Sequence, residues 1–213
     1  VNYRIDPISI ENSVMTSTVT SAQYTGMPIN SVVSVSVAGH TLTNGTEYDL
    51  TYANNINAGT AQITAVGKGN FSGSKTINFT ITPVTVSASD ISLKINGVDR
   101  SEVDYIGSVY TPEISVVAVF NPNKVVLTEG TGVNNYSVDK PSGEIKNAGT
   151  YTYSFSFSEG GNYKTPDDQP IVKTFTIKKA TLTISPMSET FAYGDESTSD
   201  KWVPKYAEQN KSG

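Results

Sequence analysis

Phe79-Thr80-Ile81-Thr82-Pro83-Val84-Thr85-Val86 is the stretch that decides the fold, because it occurs three times. The first occurrence is Tyr3-Arg4-Ile5-Asp6-Pro7-Ile8-Ser9-Ile10. The third is Phe175-Thr176-Ile177-Lys178-Lys179-Ala180-Thr181-Leu182-Thr183-Ile184, where Lys179 replaces the proline and the alternation runs two residues further. Each reads aromatic, polar, apolar, breaker, then alternating apolar and polar. Alternation with a period of two places the apolar side chains on one face of an extended strand. Proline lacks the N–H that a central ladder needs, so it suits the point where a closing strand leaves one sheet and an opening strand enters the next.

Working outward, Asn57-Ala58-Gly59-Thr60 returns 90 residues later as Asn147-Ala148-Gly149-Thr150, each time ahead of an alternating run. Glycine admits positive φ at such a turn, and asparagine can bond its own backbone there. Gly69-Asn70-Phe71 returns as Gly161-Asn162-Tyr163, Leu42-Thr43-Asn44-Gly45-Thr46 as Leu127-Thr128-Glu129-Gly130-Thr131, and Tyr24-Thr25-Gly26 is matched to Tyr110-Thr111-Pro112. The order is the same in both copies. A supersecondary unit repeated in order fixes the architecture before any single residue is weighed.

The alternation predicts strands over 5–10, 14–20, 31–37, 47–52, 61–66 and 75–81 in the first copy. In the second it predicts 83–95, 114–120, 124–128, 134–138, 150–157 and 171–177. Six or seven short strands, separated by turn residues, are the signature of a Greek-key sandwich. The expected fold is therefore all-β, tandem immunoglobulin-like β-sandwich modules in an extended array. Residues 1–10 are read as the end of a preceding repeat or a first strand, 11–83 as module 1, 84–179 as module 2, and 180–213 as a partial third repeat or tail. Val1 opens in mid-pattern, so the chain is expected to be an excised fragment or mature segment. Almost no linker separates the copies, which predicts restricted hinge motion.

Composition agrees. Hydrophobic residues make up 37% and charged residues only 16%, so polarity comes from Ser, Thr and Asn between β-branched and aromatic residues. A net charge of -5 leaves no basic face for a phosphate backbone and excludes nucleic acid as an expected partner. With no cysteine there is neither a disulfide framework nor a thiolate site. No apolar run of spanning length occurs, so no membrane insertion is expected within this segment.

Tyr24-Thr25-Gly26, Leu42-Thr43-Asn44-Gly45-Thr46-Glu47-Tyr48, Tyr52-Ala53-Asn54-Asn55, Asn57-Ala58-Gly59-Thr60 and Gly67-Lys68-Gly69-Asn70-Phe71-Ser72-Gly73 together resemble the bacterial Ig-like repeats of large surface and adhesin-like proteins. Thr190-Phe191-Ala192-Tyr193-Gly194-Asp195 looks like the opening of MBG or YDG-type repeats. The resemblance is close over 14–86, looser over 87–184 and local beyond. It implies an exported, multi-module bacterial protein at the cell surface or secreted. Such modules share no catalytic residues, so it supplies no site.

Candidate sites were weighed against plainer roles. His40, the only histidine, would have to serve any Ser-His-Asp constellation, but it lies in the turn Ala38-Gly39-His40-Thr41 with no nucleophile elbow, and reads as a loop residue. Calcium could use hard oxygen ligands from Asp167, Asp168 and Asp195, although no regular Asp-x-Asp-x-Asp loop is present. Other acids (Glu47, Asp49, Glu102, Asp104, Asp139, Glu144, Glu196 and Asp200) read as turn or solvated residues. A glycosidase would need two carboxylates in one cleft, which a small sandwich has little room for. Tyr24, Tyr52, Tyr110, Tyr136 and Tyr163 read as core or tyrosine-corner residues rather than ligand contacts, and Trp202, outside the pattern, as a ligand contact. Lys75, Lys94 and Lys173 lie in or beside strands, where a Lys–Asn cross-link would need an acid beside it.

No catalytic residue and no cofactor is expected. The expected function is a non-catalytic structural and adhesive stalk or spacer, monomeric in solution. The alternative is a module that binds a host or extracellular glycan or protein through loops or exposed strand edges.

Overall fold

The computed structural model describes residues 4–120 and 123–184. Strands account for 52% of it, and the described residues contain no α-helix. The strands are β1 (Ile8–Ser9), β2 (Val14–Ser17), β3 (Ser21–Gln23), β4 (Val33–Val37), β5 (His40–Thr41), β6 (Tyr48–Ala53), β7 (Gly59–Gly67), β8 (Phe71–Ser72) and β9 (Ser74–Thr82). They continue as β10 (Val84–Thr85), β11 (Ile91–Ile95), β12 (Val98–Asp99), β13 (Glu102–Asp104), β14 (Glu113–Phe120), β15 (Asn123–Glu129), β16 (Asn135–Asp139), β17 (Gly149–Phe157), β18 (Tyr163–Lys164) and β19 (Ile171–Lys178).

Among the described residues, no strand pairing crosses Pro83. Before it, β2-β4-β5 form one sheet, β3-β9-β7-β6 another, and β1 pairs in parallel with β8. After it, the same partners recur. β10 pairs in parallel with β18 as β1 does with β8, and β13 with β19 as β3 does with β9. β16-β17-β19 repeats β6-β7-β9. The cross-strand pairs fix the register, with Ala61 opposite Phe79 in the first half and Tyr151 opposite Phe175 in the second.

The second half departs from two separate sheets. Its order β12-β11-β14-β15-β16-β17-β19-β13 is one continuous sheet that curls into a half-barrel. The cause is the length of β15. It pairs antiparallel with β14 through Leu127, and its last residues, Thr128 and Glu129, turn to pair in parallel with Asn135 and Tyr136. In the first half β5 stops at Thr41, and only the isolated bridge Asn44–Tyr48 remains of that seam. Gly45 N–H bonds the Tyr48 carbonyl there, as Gly130 N–H bonds that of Tyr136.

Alternation does set the inner faces. Ala61, Ile63 and Ala65 on β7 are buried with Phe79 and Ile81 on β9, as are Tyr153 and Phe155 on β17 with Phe175 and Ile177 on β19. The expected single strand over 83–95 is broken by a 3₁₀ turn at Ala88–Asp90, where the Asp90 carboxylate accepts from Ser87 N–H and Ser87 Oγ. The short strands β3, β5, β8, β12, β13 and β18 had no alternation long enough to be seen.

One repeat match is corrected. Tyr24 N–H bonds the Thr82 carbonyl after β3, and Tyr105 N–H bonds the Lys178 carbonyl after β13. Gly26 (φ +75°) and Gly107 (φ +73°) then make the same turn, and a side chain added at either would meet the hydroxyl of the tyrosine two residues before it. The partner of Tyr24-Thr25-Gly26 is therefore Tyr105-Ile106-Gly107. Tyr110 matches Ile29 instead, since their amides bond the carbonyls of Ile145 and Asn55, at matching places in the two copies. Strand pairing decides this match, whereas the tyrosine alone misled.

Ser13 is buried, yet its Oγ has no hydrogen-bond partner. A buried hydroxyl that gives up water without a replacement bond is a cost. Ser13→Ala is accordingly expected to be neutral or stabilising by up to about 1 kcal/mol in urea denaturation; a clear loss would contradict the burial of an unpaired hydroxyl.

Candidate functional site

A buried cluster of polar contacts lies where the halves meet. Pro83 alone separates β9 from β10, so the second half begins within one residue of the closing strand of the first. Val84 N–H bonds the Asn162 carbonyl, holding β10 against β18.

Asn162 is buried, and every polar group it carries is used. Its N–H donates to the Val133 carbonyl at 2.8 Å. Its Oδ1 accepts from Ala58 N–H at 2.7 Å, and its Nδ2 donates to Asn57 Oδ1 at 2.9 Å and to Asn134 Oδ1 at 2.7 Å. The Tyr24 hydroxyl donates to the same Asn134 oxygen at 3.2 Å, and its ring meets Tyr163 edge-on with centroids 5.7 Å apart. A buried amide costs free energy unless all its bonds are made, and here the partners come from both halves. The Asn57-Ala58 turn and the Asn162 loop were both visible as repeats, but the sequence did not bring them together. Asn134 went unnoticed, although the three extra residues between Gly130 and Tyr136, relative to Gly45 and Tyr48, mark the arm that carries it.

Burial, with Tyr24 beside it, pushes the Tyr163 phenol up to about 12 from its ordinary 10.0. Burial also raises Tyr48, Tyr136 and Tyr153. A phenol with a raised folded-state pKa favours the fold fully below the unfolded value, and that contribution disappears as pH climbs through the folded one. The urea midpoint is therefore expected to hold up to about pH 9 and to fall between about pH 10 and 12. Tyr163→Phe should remove part of that fall; an unchanged alkaline profile in the variant would refute the assignment.

The surface carries two open grooves. One, about 560 Å³, runs beside the junction along Lys124–Thr128 of β15 and is walled by Tyr24, Asn134 and Tyr163. The other, about 530 Å³, is lined by Tyr110, Tyr136, Tyr153, Lys140, Glu129 and Glu144. Glu129, which the sequence reading did not single out, thus shares a groove with Glu144. Its carboxylate accepts from Lys140 Nζ at 2.7 Å, which commits it to an ion pair.

The other predicted residues lie apart from the junction. His40 follows the turn as the first residue of β5, exposed, with its ring stacked on Phe71 and Nε2 3.3 Å from Glu47 Oε1. The Thr43 amide, and after it His40, hold the Glu47 carboxyl below its ordinary range. Asp167 and Asp168 sit exposed on a 3₁₀ turn, and no group of three or more potential metal-ligating side chains occurs among the described residues. Asp195 and Trp202, like Glu196 and Asp200, lie outside the described residues.

Lys75 and Lys173 each donate to a backbone carbonyl, of Glu11 and Ala88 respectively. The tyrosine hydroxyls likewise serve the backbone: Tyr48 bonds the Val33 carbonyl, Tyr52 that of Ser31 and Tyr110 that of Asp104.

What the geometry defines is an all-β chain in which a buried polar cluster joins the strands before Pro83 to those after it. Comparison with protein-family models, with curated proteins and with solved structures finds no match. No helix among the described residues is long and apolar enough to cross a membrane.

Proposed function

We propose that this chain is a non-catalytic spacer of an exported or cell-surface bacterial protein, built from tandem immunoglobulin-like sandwich units that hold other parts of that protein in place. The observation that carries the reading is the Asn162 cluster. A spacer must transmit position from one unit to the next, and bonds from Asn162 to Asn57 and Ala58 across a one-residue connection oppose hinge bending. The repeated pairing of β1 with β8 and of β10 with β18 gives each unit the same entry geometry. Small-angle scattering tests it: an elongated particle of fixed length is expected, and a compact globule, or a broad distribution of lengths, would overturn it.

The groove along β15 favours a second reading, binding of a glycan or an extended peptide. Aromatic walls suit sugar rings, and the Lys124–Leu127 stretch of β15 borders an open groove that an added strand could enter. Saturable binding on a glycan or peptide array, lost on Lys124→Ala or, through the position named from sequence, on Trp202→Ala, would favour this reading. No saturable binding would leave the spacer as the sole function.

A further inference from the structure

The correspondence between the halves identifies a surface that is covered in one and, among the described residues, exposed in the other. In the first half, Tyr24 is 6% exposed because Asn134 and Tyr163 of the second half lie against it, and Ala58 N–H is capped by Asn162. Its counterpart Tyr105 is 39% exposed, the adjoining Ile106 is 62% exposed, and nothing among the described residues bonds Ala148 N–H. The entry strand shows the same contrast. Val84 and Val86 are 1% and 0% exposed, whereas Ala180 and Leu182, which the register of β19 sets in the same places, are exposed, Leu182 at 78%.

We propose that the end of the second half formed by Tyr105, Ile106 and Ala148 is a docking face for a further unit of the same repeat, entered through Ala180 and Leu182. The occupant is specified by the covered copy. It must offer a Gly-Asn-aromatic loop, as Gly161-Asn162-Tyr163 does, whose asparagine oxygen accepts from Ala148 N–H and whose aromatic ring covers Tyr105. Its strand after that loop must pair in parallel with Ala180-Thr181, as β18 pairs with β10. The exposed Leu182 side chain gains by burial against such a unit. This proposal rests on the tandem-unit reading above.

The test inserts a second copy of residues 87–178 after Leu182 in the full chain, so that Ala180-Thr181-Leu182 stands where Val84-Thr85-Val86 stands in the original. Amide hydrogen exchange is followed at Ala58 and Ala148 in the same molecule. Ala148 is expected to exchange about ten-fold or more slowly than in the unextended chain, approaching Ala58. Alanine in place of the inserted copy's counterpart of Asn162 should restore fast exchange at Ala148 while leaving Ala58 slow. An inserted unit that folds without slowing Ala148, or that fails to fold there although the same residues fold after Val86, overturns the docking face. Fast exchange at Ala58 in the unextended chain would instead overturn the junction and, with it, the spacer.

Discussion

Phe175→Ala is expected to lower stability by about 3–5 kcal/mol in urea denaturation, a large share of the total for a domain of this kind. Phe175 is fully buried at the middle of β19, opposite Tyr151 on β17 and edge-on to Tyr110, with ring centroids 5.9 Å apart. Removing the ring forfeits its transfer from water and leaves a cavity over the inner face of a sheet whose strands backbone hydrogen bonding holds at fixed spacing. That spacing prevents collapse into the void, so the cavity cost persists. Phe79→Ala, at the matching position of β9, removes an equally buried ring that faces the small Ala61 and is expected to cost a similar amount. A loss below about 1 kcal/mol at Phe175 would mean that the inner face of β19 is not the core.

Asn162→Ala should cost about 2–3 kcal/mol, and its repeat counterpart Asn70→Ala less than about 0.5 kcal/mol. The residues occupy the same place in two copies, each with a carbonyl that accepts from the entry strand, Ile8 N–H for Asn70 and Val84 N–H for Asn162. Only the surroundings of the side chain differ. Asn70 is exposed, while Asn162 is buried between the halves and caps Ala58 N–H. Truncation at 162 leaves that amide without its partner and removes the donor shared by Asn57 and Asn134. The comparison isolates the junction, because any effect of asparagine on the loop itself should appear in both variants. Chemical denaturation gives the two values, and equal losses would show that Asn162 serves its own loop rather than the join.

How much of this was legible beforehand depended on the range of the signal. The long strands β7, β9, β17 and β19 were read within two residues of their ends, because seven or more alternating residues leave one solution. Six of the two- and three-residue strands, β3, β5, β8, β12, β13 and β18, were invisible, since so few residues carry no period and their partners lie far along the chain. The same limit produced the mistaken match of Tyr24 with Tyr110. Local likeness favoured it, whereas the parallel pairing of β3 with β9 and of β13 with β19 selects Tyr105. Asn57 and Asn162 were each noticed as turn residues, but their meeting depends on the path of the chain through Pro83.

By itself the sequence determined the all-β class, the long core strands and the faces that are buried, since alternation and turn chemistry are properties of neighbouring residues. Tertiary structure alone decided that the second set of strands curls into one sheet, that Glu129 and Glu144 share a groove, and that Asn162 caps the turn of the other copy. These depend on which distant backbone groups come within about 3 Å of one another, and the direction of a strand's unpaired N–H and C=O groups is not written in the residues that carry them.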